Sequence, residues 1–149
     1  VSPHPPIMIT AAALEAASPQ PYCKGQVAAF RATFGEAVTV PRSAGARAAL
    51  ARRLAATWLP CGWYAPRALS TEAMDAYEQA IAPSRRAYQE ATESAWRAHK
   101  ESGVTDLGTL VDAEVTIQRA YDEAQAEALL DALVADADAA DAADVVTDA

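Results

Sequence analysis

Along the first seventy positions apolar residues recur at helical rather than strand spacing, in short runs. Ala11 to Ala17 is the first such run, with Thr10 placed to cap it and Ser18, Pro19 and Pro21 placed to end it. Cys23, Val27, Phe30 and Phe34 follow at steps of four, three and four, which predicts one apolar stripe on a helix that Gly35 terminates. Glu36 to Val40 reads as an extended connection or a lone strand. Pro41 and Ser43 open a third helix, about Ala44 to Trp58, that sets Leu50, Leu54 and Trp58 on one side. Leu59 to Pro66, holding Pro60, Gly62 and Pro66, predicts a turn, with Trp63 and Leu69 folded back onto the head.

From Thr71 the period changes. Tyr77, Tyr88, His99, Leu110 and Tyr121 are spaced by eleven, each followed three positions later by Ala80, Ala91, Ser102, Ala113 and Ala124. Ala76, Ala87, Ala98, Thr109 and Ala120 precede them by one. Eleven residues make about three turns at 3.67 per turn, so the pattern predicts a straight or slightly right-handed helix rather than a left-handed coiled coil. At about 100° per residue the aromatic position, the alanine three later, the residue seven later and the alanine ten later share an arc of roughly 80°. That face is narrow, apolar and mostly small, and it asks for a helix partner.

Two features interrupt the stripe. Pro83 removes the bond to Gln79 and predicts a kink or a division. Ser102, Gly103 and Gly108, with Thr105 and Asp106 as caps, predict a helix end and a new start. An antiparallel hairpin of Thr71 to Ser102 against Asp106 to Ala135 hides each alanine face on the other and needs no second chain. A continuous rod would span on the order of 90 Å and would have to dimerise. Beyond Ala135, five aspartates between Asp136 and Asp148 oppose a helix dipole and predict a frayed or disordered end.

The expected fold is therefore all-α: a disordered tail over 1–9, a small helical head over 10–70, an eleven-residue-repeat region over 71–135 broken near 102–106, and an acidic disordered tail over 136–149. Residues Val1 to Ile7 read as a tail of doubtful nativeness, because Met8 opens a cleaner segment. Composition sharpens the picture. Apolar residues make up 52% of the 149, but alanine supplies much of that fraction. Any core is small, and burial at roughly 25 cal/mol per Å² leaves little surplus over chain entropy.

The net charge of −8 conceals a division. Through Ser70, seven basic residues face two acids, a net of +5; from Thr71, five face eighteen, a net of −13. A basic head suits nucleic acid or an acidic partner, while an acidic tail can occupy that same head or imitate a polyanion. Arg47, Arg52 and Arg53 form the candidate basic patch, although Arg47 and Arg52 do not share a face cleanly and a solvated helix surface is the commoner reading of them. No apolar run reaches the roughly 18 residues of a membrane span. No signal peptide is recognisable at the start, so the expected location is the cytoplasm.

Chemistry is hard to assemble from this set. Cys23 and Cys61 are too few for a disulfide framework and lack zinc-ligand spacing. They read as reduced, partly buried thiols. His99 stands at a repeat position, where a half-exposed substitute for tyrosine outweighs a base paired with Cys23. Gly45 and Gly62 stand alone, without a phosphate loop. Asp112 with Glu114 and Asp122 with Glu123 lack the spacing that points two ligands one way. No catalytic residue, metal or cofactor is expected.

The order Ala13-Leu14-x-Ala16, Cys23 with Gln26-Val27 and Phe30, Phe34-Gly35-Glu36-Ala37-Val38-Thr39-Val40, Trp63, Leu69-Ser70 and Ala76-Tyr77-x-x-Ala80-x-Ala82-Pro83 resembles a family of small phage and prophage proteins with Ala-Tyr-x-x-Ala repeats. The resemblance covers about Met8 to Glu101. Here the second unit lacks the proline and the third has His99 for tyrosine. The resemblance implies a mobile-element origin and a cytoplasmic home, and no activity.

The expected function is a non-catalytic helical protein–protein interaction or oligomerisation protein that uses Tyr77, Ala80, Tyr88, Ala91, Trp96, Tyr121 and Ala124 against a protein partner or a second copy. The competing expectation is an acidic nucleic-acid mimic that inhibits a host DNA- or RNA-binding defence protein. Direct nucleic-acid binding by the head is not expected, because the acidic half competes for the same arginines.

Overall fold

The computed structural model describes residues 4–18, 24–57, 59, 61–105 and 107–147. In chain order these form β1 (Met8–Thr10), α1 (Ala11–Ala17), α2 (Lys24–Phe34), β2 (Ala37–Thr39), α3 (Ala44–Ala56), α4 (Cys61–Ala68), α5 (Thr71–Ser102) and α6 (Gly108–Thr147). The fold is mostly all-α, with a long C-terminal helix and one two-stranded sheet. Cys23, Trp58, Pro60, Asp106, Pro19 and Pro21, all used in the expectations above, lie outside the described residues.

Local chemistry sets several boundaries where the sequence puts them. Thr10 accepts a hydrogen bond from Ala13 N and Ser43 one from Ala46 N, capping α1 and α3. Gly35 ends α2 with φ of 76°, a left-handed turn that costs glycine little, and its N–H donates to Arg31 O at 2.8 Å. Ser70 caps α5 through Ala73 N, and Gly103, at φ of 68°, closes it.

Other elements depart from expectation. The supposed tail over 1–9 contributes β1, antiparallel to β2 with Ile9 opposite Val38. Ile9 is fully buried. Ile9 and Thr10 suit a strand, but three residues beside a proline-rich stretch are too short to form one alone, and the pairing with β2 makes them one. The predicted turn at 59–66 is largely α4, where Cys61, Tyr64 and Ala65 form a buried helical stripe. Pro66 sits in its last turns, exposed, and Trp63 and Leu69 pack on the core as expected.

Pro83 neither divides nor ends α5, which runs unbroken from Thr71 to Ser102. Pro83 and Gln79 are exposed, so the carbonyl that loses its partner faces water, while buried Tyr77 and Ile81 hold the helix on its inner side.

The acidic C-terminus is also helical, through Thr147, against the expectation of disorder over 136–149. Its aspartates are not left side by side. Arg47 donates to Asp131 at 2.6 Å, Arg42 pairs with Asp138, His4 meets Asp141, and the Ser70 N–H donates to Asp136 at 2.9 Å. Arg42 and Arg47 of the +5 head thus each neutralise one of these acids. Below them Leu129 and Leu130, fully buried, anchor the same helix.

That anchoring merges the two expected domains. One apolar cluster runs from Ile9, Leu14 and Phe30 through Leu54 and Tyr64 to Tyr77, Ile81, Leu129, Leu130 and Val134. The head has too few large apolar side chains to close a core alone, and the base of the α5–α6 hairpin fills it. In the other direction α5 and α6, about 48 and 60 Å long at 1.5 Å per residue, carry the hairpin tip away from the head.

Candidate functional site

The eleven-residue repeat is spent inside the chain. Helices α5 and α6 fold back antiparallel in a register that brings equivalent repeat positions together. Tyr88 meets Tyr121 with ring centroids 5.1 Å apart, and His99 and Leu110 line one cavity. Such a ring pair contributes on the order of 1 kcal/mol beyond the area it buries. Arg85 reaches across from α5 to the Tyr121 hydroxyl at 3.4 Å and to Glu78 at 3.2 Å, contacts that hold the guanidinium more firmly protonated than usual. Nearer the head Tyr77 is 2% exposed, and its phenolic oxygen has no hydrogen-bond partner among the described residues. Burial pushes that phenol's pKa up.

The inward face differs in detail from the expected one. Tyr77, Ile81, Ser84, Tyr88, Thr92, Ala95 and His99 are buried or half-buried, whereas Ala76, Ala80, Ala87 and Ala98 are exposed. The face is thus centred on the aromatic position and the residues four and seven later, rotated by roughly 40° from the alanine-centred arc. Of the expected partner surface, Tyr77, Tyr88, Ala91, Tyr121 and Ala124 are buried or half-buried, leaving Ala80 and Trp96 exposed. The displaced small residues rim two shallow clefts on one flank of the hairpin. Ala87, Ala91, Thr116 and Ala120 line one of about 330 Å³, and Ala95, Ala98, Thr109 and Ala113 another of about 300 Å³.

The opposite flank is different. There α3 lies along α6 in the reverse direction: Arg42 pairs with Asp138, Arg47 with Asp131, and Arg52, Ala55 and Ala56 reach the level of Asp122. Beyond Ala56 the slot that α3 fills continues as an open groove of about 480 Å³. Its walls are Tyr88 and Thr92 from α5 and Val111, Val115, Gln118 and Asp122 from α6. Trp96 extends that line of α5 by one more turn and bridges the helices by donating its indole N–H to Glu114 at 2.8 Å. Burial raises the pKa of Asp122, partly offset by the hydrogen bond it accepts from Gln118 at 2.9 Å.

Exposure singles out this end of the molecule. Of the eight large apolar side chains left exposed among the described residues, five (Trp96, Val104, Leu107, Val111 and Val115) fall on the outer half of the hairpin. Scattered exposed valines are ordinary, but Val111 and Val115 line the open end of the α3 slot, with Trp96 bridging to Glu114 beside them. Val111 and Val115 carry no feature that marks them in the sequence. They lie about 100° and 140° round α6 from the Leu110 position, on the side that α3 covers nearer the base and does not reach here.

The candidate basic patch does not assemble. Arg47, its side chain 13% exposed, is held by Asp131 and by the carbonyls of Pro41 and Arg42. Arg53 lies over the Phe34 ring at 4.7 Å, and Arg52 stands at the groove. Four aspartates of the acidic helix, 131, 136, 138 and 141, are turned onto the chain's own head or onto the start of α5. Elsewhere Arg31 joins α1 to the β2 approach through Glu15 and Glu36, and its hydrogen bond holds the Glu15 carboxyl below the usual range.

Cys61 is free, buried, and pushed up to about 12 by that burial, which leaves a thiol rather than a nucleophilic thiolate at neutral pH. Among the described residues no group of three or more His, Cys, Asp or Glu side chains is arranged to hold a metal ion. No helix among them is long and apolar enough to cross a membrane. Comparison with protein-family profiles, with curated proteins and with solved structures gives no match.

Proposed function

We propose that this chain is a non-catalytic protein–protein interaction protein that docks a helix on the outer half of its α5–α6 hairpin. One observation carries the reading: α3 covers only the inner half of the hairpin flank, and the uncovered remainder presents Trp96, Val111 and Val115 beside an open groove. A third helix seated there would extend the three-helix packing already present at the base and would remove the exposed side chains from water, the main favourable term in association. Arg52, Arg119, Glu114 and Glu123 form a mixed-charge rim, as suits a protein partner better than a polyanion. In keeping with the family resemblance, the proposal sets this interaction in the cytoplasm of a bacterial host, as part of a phage or other mobile element.

The test is a photo-crosslinking residue placed at Val115 in the full chain, produced in a bacterial host, with the same residue at exposed Glu72 as control. A protein adduct specific to position 115 supports docking. Equal labelling at both positions, or none, removes it.

A further inference from the structure

We infer that the occupant of the uncovered groove is a second copy of this chain, bound antiparallel through α6 with a twofold axis near Val115. The inference rests on the docking reading above and names its partner.

The surface is self-complementary in the way a twofold contact requires, with residue i meeting j and j meeting i. Asp112 and Arg119 lie seven residues apart on the exposed stripe of α6 that carries Val115, and both are exposed. Neither takes part in an ion pair within the described chain, so both charges are free to meet a second copy. When a second α6 is laid antiparallel about the point between Val115 and Thr116, Asp112 of each copy falls level with Arg119 of the other. The two Val115 side chains meet at the axis, Val111 of each lies at the level of Arg119 and Ala120 of its mate, and Trp96, hydrogen-bonded at the level of Glu114, stands next to the axis.

Length fits as well. The open groove runs over Val111 to Glu123, about four turns, and ends against Ala55 and Ala56 of α3. In the antiparallel arrangement the tip of one hairpin, with exposed Val104 and Leu107, reaches the end of the other copy's α3. The rest of each α6 then runs out past the other's tip, so the two heads sit at opposite ends and do not collide. The three exposed apolar residues of this flank, Trp96, Val111 and Val115, thereby come under cover in one contact.

Sedimentation velocity on the full chain over a hundredfold concentration range, with charge-swapped variants, tests this. The wild type is expected to pass from monomer to dimer. Asp112→Arg and Arg119→Asp each place two like-charged pairs in the contact and are expected to weaken it at least tenfold. An equimolar mixture of the two variants restores both attractive pairs and is expected to dimerise about as tightly as the wild type. Val115→Arg abolishes dimers, and the helical content by circular dichroism stays unchanged in all three, since every altered residue is exposed. A wild type that stays monomeric at the highest concentration overturns the inference, as does a mixture no tighter than its components. A monomer that still gives a position-115 adduct with a different protein leaves docking standing and removes only the second copy. A monomer with no such adduct removes both.

Discussion

The two ends of the α5–α6 hairpin are built from the same eleven-residue pattern and have opposite fates. At the base, Tyr77, Ile81, Leu129 and Leu130 are buried where α6 packs on α3 and α4, in one cluster with the head. In the outer arm Tyr88 meets Tyr121 and His99 shares a cavity with Leu110, but among the described residues Trp96, Val111 and Val115 stay about half exposed. A repeat of small residues with a periodic aromatic is therefore enough to pair two helices. It does not by itself cover their outer flanks. Stability should concentrate at the base and recognition at the arm, because a surface meant to be covered by a partner has to remain uncovered in the isolated chain.

The sharpest way to break that contrast is to truncate one residue of each kind. Leu129→Ala, at a fully buried site, should cost about 3 kcal/mol and lower Tm by roughly 10 °C, whereas Val115→Ala should change stability by under about 0.5 kcal/mol. Thermal denaturation followed by circular dichroism decides it; equal losses at the two sites would mean that the arm is as much core as the base.

Tyr121→Ala comes next. Losing the ring pair and the Arg85 contact should cost about 1–2 kcal/mol. Amide exchange should quicken over 88–117 and stay slow at 129–134. Loosening that begins at the base would show that the arm does not open by itself.

A smaller effect is expected at the floor of the groove. Burial raises the Asp122 pKa, so the folded chain keeps that proton to higher pH than the unfolded one does. Stability is therefore lost as pH rises from the unfolded to the folded pKa, and the cost is fully present above both. Asp122→Asn, which can still accept from Gln118, should raise Tm at pH 7 by about 2 °C, with the gain vanishing toward pH 3. A lowered Tm at pH 7 would place Asp122 in an attractive pair instead.

Smallest of all is the acidic end of α6. The Arg42–Asp138 pair is solvent-exposed, so Asp138→Asn should change global stability by under about 0.5 kcal/mol. Exchange over 136–147 should still quicken, as it should in 1 M salt, where screening acts within about 3 Å. An unmoved C-terminus in both experiments would assign its order to helix propensity rather than to the head.

Much of this was legible from residue order alone. Thr10 and Ser43 cap helices, Gly35 ends one, and the Ser102–Gly108 punctuation marks the hairpin turn, because each acts through its own backbone neighbourhood. The common register of positions 77, 88, 99, 110 and 121 was legible too, since five copies of one spacing define a helix side. Legibility stopped where a residue's state depends on a distant partner. The aspartates of α6 read as mutually repelling until Arg42, Arg47 and the Ser70 N–H stand beside them. The cysteine–tyrosine stripe of α4 was masked by flanking glycine and prolines. The site was the least legible part: Trp96 was singled out, but Val111 and Val115 were not.

Sequence alone determined which segments are helical over most of the chain and which side of the repeat region seeks a partner, because periodicity, capping and glycine geometry are properties of neighbours along the backbone. The tertiary structure decided that the partner of each repeat helix is the other, that the head and hairpin base share one core, and that α3 stops at Ala56. That last detail is a matter of which surfaces meet in space, and it leaves the outer arm, unlike the base, with a flank that α3 does not cover.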